Sequence, residues 1–207
     1  MSAAATTYGY LSNYSAGVPL GAADRTVAAW IYCDAIGTRM FPFYTGSEAT
    51  RGRFCPDIQT DGTVKCNYYT GDTSGNGAMS ATTWHHLAIQ VRSSGTLASV
   101  WIDGALDHED TISGGALNTV QDDFIVCAGL TGTLQFSGRV CEACIYDEAV
   151  PADDMAALGE GFSPARVRPS ALVSYAKLIR DWKVDLGSGV WTSSGTVTPA
   201  DHPRIYY

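Results

Sequence analysis

Residues Thr83 to Gly104 constrain this chain more than any other stretch. Leu87, Ile89 and Val91 alternate with His86, Ala88 and Gln90, which gives one apolar face at the period of a β-strand. Ser93, Ser94 and Gly95 break the pattern as a hairpin turn. Val100 and Ile102 resume it around Trp101, and Asp103-Gly104 closes it with a tight-turn signal. The run therefore reads as two adjacent strands.

The same period recurs along the chain. Strands are expected over Tyr8 to Tyr14, Thr26 to Cys33, Met40 to Thr45, Gly52 to Ile58, Thr63 to Thr70, Asp122 to Ala128 and Leu134 to Asp147. The segment Thr26 to Cys33 is apolar on both faces, as a buried strand is. Gly71 to Ser80 is a polar, Gly-rich loop long enough to be functional. A short helix is expected over Pro151 to Leu158. Proline stands near its first turn, Asp153 and Asp154 complement the N-terminal dipole, and Gly159 ends it. Pro164 and Pro169 then mark a boundary, after which Leu172 to Tyr175 has the composition of one more strand.

Three motifs carry a family resemblance: Trp84-His85-His86 with its hairpin and Asp103-Gly104, the strand TVAAWIYC over Thr26 to Cys33, and LQFSGRVCEACIYD over Leu134 to Asp147. In the last, Gly138, Arg139, Val140, Glu142, Ile145 and Tyr146 fall on the pattern. Over roughly residues 5 to 160 the chain resembles laminin-G-like domains of the concanavalin A-like group. The resemblance implies an all-β fold: a two-sheet antiparallel jelly-roll sandwich with one short helix and a C-terminal strand-bearing tail. The expected division is a jelly-roll domain over 1–163 and a tail over 164–207 that packs on the same or a neighbouring domain.

Composition closes off several functions. Among 207 residues the net charge is -8, and no basic stripe is visible, so neither nucleic acid nor an anionic membrane is expected as a partner. No segment approaches the apolar length of a membrane span. Ser2 to Thr7 lacks the basic and apolar regions of a secretory signal, so synthesis in the cytoplasm is expected, with secretion as the alternative. The six cysteines, at 33, 55, 66, 127, 141 and 144, sit mostly inside apolar strand patterns and are expected reduced. A two-residue turn at Asp61-Gly62 pairs Cys66 with Asp57, which leaves Cys55 out of register for a cross-strand bridge.

None of Glu48, Glu109, Glu142, Glu148 and Glu160 has Asp two positions later, so the Glu-x-Asp-x-x-Glu strand of related glycosidases is absent. Glu142 reads as a hydrogen-bonded structural carboxylate. His85 and His86 are neighbours on a strand and point to opposite faces, so they do not share a metal. Cys141 and Cys144 have zinc-knuckle spacing but lie within a strand. Calcium is the one cofactor left to test, at the loop residues Asp72, Asp122 and Asp123; otherwise no cofactor is expected.

The functional expectation is a non-enzymatic structural or interaction module. The ending Asp201-His202-Pro203-Arg204-Ile205 resembles accessory virion proteins of tailed phages. That resemblance implies a capsid-decorating or tail-associated component of the virion, with other virion proteins or copies of itself as partners. Trp191, Tyr206 and Tyr207 are the candidate assembly interface, since bulky aromatics anchor interfaces. The alternative is a carbohydrate-binding lectin domain, calcium-assisted, with glycans as partners.

Overall fold

In the computed structural model the alternating segments form two stacked antiparallel sheets. The structure describes residues 2–3, 8–12, 18–69, 71–73, 75–120, 124–129, 134–178, 185–187, 190–194, 197–198 and 201–207; for 2–3, 8–12, 190–194 and 197–198 it describes the backbone alone. The first sheet holds β1 (Ser2–Ala3), β3 (Arg25–Cys33), β7 (Trp84–Arg92), β8 (Leu97–Ile102), β9 (Ala105–Thr111), β11 (Gly138–Tyr146) and β14 (Val197–Thr198), in the order β14-β1-β11-β3-β7-β8-β9. A further strand, β12 (Leu172–Ala176), pairs with β11. The second sheet holds β2 (Tyr8–Ser12), β4 (Phe43–Gly46), β5 (Arg53–Ile58), β6 (Val64–Asn67), β10 (Phe124–Val126) and β13 (Val190–Ser194), in the order β13-β2-β10-β4-β5-β6.

The period-two pattern builds the core. Val27, Ala29 and Ile31 of β3, with Leu87, Ile89 and Val91 of β7, face Phe43, Phe54, Val64, Phe124 and Val126 of the second sheet. All of these are buried, and each large apolar side chain so removed from water contributes about 1.5–3 kcal/mol.

The outer face of the first sheet is covered as well. Helix α1 (Ala152–Gly159) lays Met155 and Leu158 over Ala28, Ala88, Trp101, Cys144 and Tyr146. Val167, Ala171, Leu172 and Tyr175 of the tail complete that layer. This is why Thr26 to Cys33 reads as apolar on both faces.

Several sequence expectations change in detail. Asp103 and Gly104 both have positive φ, 51° and 80°, so the turn before β9 is the primed hairpin type that matches strand twist. The polar run ALDHEDT after it is nonetheless a strand, β9, at the sheet edge, where charged residues discourage added partners. The turn at Asp61-Gly62 has three residues. Gln59 N–H donates to Thr63 O, Gly62 takes φ 87°, and Cys66 faces Pro56 where a two-residue turn predicts Asp57. Gly159 is the last helical residue and does not stop the helix; a methyl group there would collide with the backbone of Gly104. All six cysteines are free and buried, and burial pushes the thiols of Cys33 and Cys127 up to about 12.

The tail returns to its own chain. Tyr175 faces Cys144 and Ser174 faces Ile145 across β12 and β11. Further on, Tyr206 N–H donates to Gly161 O (2.8 Å) and Ser163 N–H donates to Tyr206 O (3.1 Å).

Candidate functional site on the outer face of the second sheet

On β5, Arg53, Cys55 and Asp57 alternate with the core residue Phe54, with Pro56 and with the core residue Ile58, so the polar side chains leave the sandwich on its far side. Tyr44 of β4 and Asn67 of β6 share that face. The result is a buried polar layer. Asp57 has no exposed surface, and Asn67 and Arg53 are buried too.

Asp57 is the hub. Arg39 Nε lies 2.9 Å from each of its carboxylate oxygens, Arg39 Nη2 also donates to it, and Asn67 Nδ2 donates at 2.9 Å. Asn67 Oδ1 in turn accepts from Arg53 Nη1 (3.2 Å) and from the backbone N–H of Tyr69 (3.1 Å). Arg53 Nη2 reaches Glu48 at 3.4 Å. Only the Asp57 end of the Arg39–Asp57 pair is buried, so the pair adds little stability by itself, while losing its donors would strand a buried charge. The network therefore fixes geometry more than it adds stability.

Aromatic rings enclose the Arg53 guanidinium. Its carbon lies 5.6 Å from the Phe41 ring centre, 5.5 Å from Tyr44 and 4.9 Å from Tyr69. Phe41 and Tyr44 are buried, whereas Tyr69 is 48% exposed. Tyr69 also holds φ at 80°, a left-handed conformation that a residue with a side chain adopts at a cost. Its backbone N–H is held there by Asn67. In the same network the Arg39 side chain, set over the Phe41 ring, is 42% exposed, and that of Glu48, the ion-pair partner of Arg53, is 48% exposed. Asp72 lies close enough to feel these charges. Although it is exposed, partial desolvation and then Asp57 push its carboxyl above the usual carboxylate range, against the pull of Arg39.

The residues singled out in the sequence fall elsewhere. Trp191 lies in β13, paired with Leu11; its side chain is outside the described residues. Tyr206 and Tyr207 are 41% and 46% exposed. Tyr207 Oη donates to Glu142 Oε1 at 2.9 Å, and Tyr175 Oη donates to Glu142 Oε2 at 2.5 Å. Glu142 is thus the hydrogen-bonded carboxylate expected, although burial still pushes its carboxyl up against those two donors. It sits at φ 54° in a bulge, where β11 slips register against β3 between Cys141 and Cys144. His85 and His86 do part to opposite faces. His85 Nδ1 lies 2.8 Å from Asp103 Oδ2, while His86 is buried with its ring edge-on to Trp30 at 5.6 Å.

Of the calcium candidates, Asp72 is described, and Asp122 and Asp123 lie outside the described residues. Among the described residues no three His, Cys, Asp or Glu side chains converge. Sequence reasoning missed Arg39, Arg53, Asp57 and Asn67; Tyr69 is one of the tyrosines in the sequence whose exposed members could stack on sugars, and nothing in the sequence divides the exposed from the buried. The available signal was the alternation of Arg53, Cys55 and Asp57, which puts two opposite charges on one strand face.

The fold has known counterparts. The model of the concanavalin A-like lectin/glucanases superfamily matches residues 5–156. No curated protein sequence matches the chain. Among solved structures, a candidate carbohydrate binding protein from Bacteroides ovatus superposes with a TM-score of 0.68 at 17% identity, over 97% of this chain and 61% of that one. The chain thus spans about three fifths of that protein's length. Domain 4 of an extracellular arabinanase from Geobacillus stearothermophilus, in complex with arabinotriose, gives a TM-score of 0.54 at 17% identity over 69% of each chain. A mutant Trypanosoma rangeli sialidase gives 0.54 at 15% identity, over 67% of this chain and 23% of that one. These likenesses show the fold.

Proposed function

The chain belongs to the concanavalin A-like lectin/glucanase superfamily, and we propose that it acts there as a non-enzymatic carbohydrate-binding domain, with a glycan lying across the outer face of the second sheet. The carrying observation is Tyr69. It is an exposed ring in a strained backbone conformation, seated on a guanidinium that a buried network holds in place. Strain of this kind persists only where surrounding structure imposes it, and it clusters at ligand clamps. A flat ring offers its face to the C–H side of a sugar. Arg39 and Glu48, the half-exposed charges of the same network, offer a donor and an acceptor for hydroxyl groups. The Bacteroides protein and the arabinotriose complex share the fold and support this reading.

The test is a glycan array with the wild type and Tyr69→Ala. The variant trims an exposed side chain and leaves the buried network intact. Loss of about ten-fold or more in affinity, with melting temperature unchanged, is expected, since each ten-fold is about 1.4 kcal/mol. Equal binding by both proteins, or no glycan bound by the wild type, sinks the reading.

A second reading keeps the virion role that the sequence ending suggests. Phe162 is 38% and Tyr206 41% exposed, with ring centres 5.5 Å apart at an interplanar angle of 35°, so Tyr206 and the loop after α1 present a tilted aromatic pair to a partner. Tyr206→Ser should then release the protein from its particle or oligomer. An unchanged sedimentation profile removes that reading.

A further inference from the structure

A cleft of about 530 Å³ opens on the other side of the molecule, beside the Glu142 bulge, within the size range of small-molecule sites. Four segments converge on it: the loop after α1, strand β12 with Lys177, Asp185 with Leu186, and Tyr207. Its floor is a chain of hydroxyl and carboxyl groups. Ser163 Oγ lies 3.1 Å from Tyr175 Oη, which donates to Glu142, and Tyr207 Oη donates to the same carboxyl. Ser163, Tyr175 and Glu142 are each nearly fully buried. Its walls are apolar, from Pro169, Leu172 and Leu186.

The rim carries Arg166, Lys177 and Asp185. In a chain of net charge -8, two of the three charged side chains on the rim are cations. Asp185 Oδ2 is engaged by the backbone N–H of Lys177 at 2.9 Å, and Lys177 Nζ lies 4.7 Å from the centre of the Tyr207 ring. Arg166 is exposed and forms no ion pair with a described carboxylate. A guanidinium matches a carboxylate with two parallel hydrogen bonds, so a carboxylate-bearing ligand is the group that completes this rim.

The backbone points the same way. Glu142 stands in a left-handed conformation inside a bulge, and bulges re-aim side chains at functional sites. Both its oxygens are occupied by tyrosine hydroxyls and the carboxyl is buried, so the arrangement orders the floor and is not set up to pass a proton to a ligand.

We propose that this cleft is a second binding site, separate from the Tyr69 face, for a carboxylated sugar ring. The ring lies against Pro169, Leu172 and the Tyr207 ring. The carboxylate meets Arg166 with Lys177 beside it, and ring hydroxyls reach Ser163 and Asp185.

Titration calorimetry with sodium D-galacturonate and with N-acetylneuraminate tests this, with D-galactose and benzoate as controls. Binding of at least one acid sugar by the wild type is expected, at least ten-fold weaker for both controls. Arg166→Ala and the pair Arg166→Ala/Lys177→Met alter exposed or rim side chains and should weaken it ten-fold or more, while Tyr69→Ala leaves it unchanged. No acid sugar bound, undiminished binding in the paired variant, or benzoate binding equally well each overturns the proposal. Loss in Tyr69→Ala alone would place the acid sugar on the sheet face, which defeats the second site and leaves the first reading standing.

Discussion

Acidification should destabilise this protein through His86, by an amount the structure sets. His86 lies under α1's side of the first sheet, edge-on to Trp30, and its Nδ1 is buried without a hydrogen-bond partner among the described residues. Burial lowers its pKa from the ordinary 6.5 to about 4, against the opposing pull of Asp103. The unfolded chain therefore takes up a proton below about pH 6.5 that the folded chain refuses until about pH 4. The stability is fully present above the unfolded value and is lost as the pH falls toward the folded one. Between about pH 7.5 and 4.5, linkage removes about 2.5 kcal/mol. Glu142 and Asp72 act in the opposite sense. Their raised values mean that the folded state holds protons more tightly, so acid relieves them. Urea unfolding of the wild type and of His86→Phe at both pH values isolates the histidine, because the other groups cancel in the difference. The wild type should lose about 2–3 kcal/mol more than the variant over that interval. Equal losses would refute the reasoning, and so would a wild type whose His86 ring titrates near 6.5 by NMR.

Three further outcomes are expected. None of the six cysteines should react with a thiol reagent in the native protein, and all six should react after denaturation without reductant; a shortfall means a disulfide. Removing calcium with a chelator should leave both glycan binding and melting temperature unchanged. A loss restored by calcium alone would bring a metal site back to Asp72, Asp122 and Asp123. Deleting residues 164–207 should produce aggregation, because it uncovers Cys144, Tyr146, Met155 and Leu158 by removing β12, Val167, Ala171 and Leu172. At about 1.5–3 kcal/mol for each large buried side chain, that loss approaches the whole stability of a small domain. A folded, monodisperse truncation would show the tail to be exchangeable between copies.

The sandwich was legible where one physical rule dominated. Alternation marked β7 and β8, an unbroken apolar run marked β3 because both of its faces are covered, and Asp103-Gly104 marked its turn because both positions need positive φ. Edge strand β9 was illegible for the converse reason. It has little to bury, so its residues are chosen to repel partners, and ALDHEDT reads like a loop. The Asp61-Gly62 turn slipped by one residue because the dipeptide fixes where the chain reverses, but not whether Thr60 joins the turn.

The sites were legible only in fragments, because each is assembled across sequence distance. Arg39, Asp57 and Asn67 belong to a loop and two strands, and nothing in their order predicts that one carboxylate will hold both other side chains. The polar alternation of β5 could have raised the question, since charged residues facing solvent do not need to be fully buried, as Asp57 is. Glu142 shows a different limit. Its type and strand were readable, and so was a structural hydrogen-bonded role. Its direction was not, since the bulge that turns it toward Tyr175 and Tyr207 leaves no mark on the apolar period. A residue held at φ 54° with its carboxyl buried raises the energy of β11 locally, and the two tyrosines that stabilise it both come from beyond residue 163. The tail is therefore what makes the bulge tolerable, and the cleft exists because the two were built together.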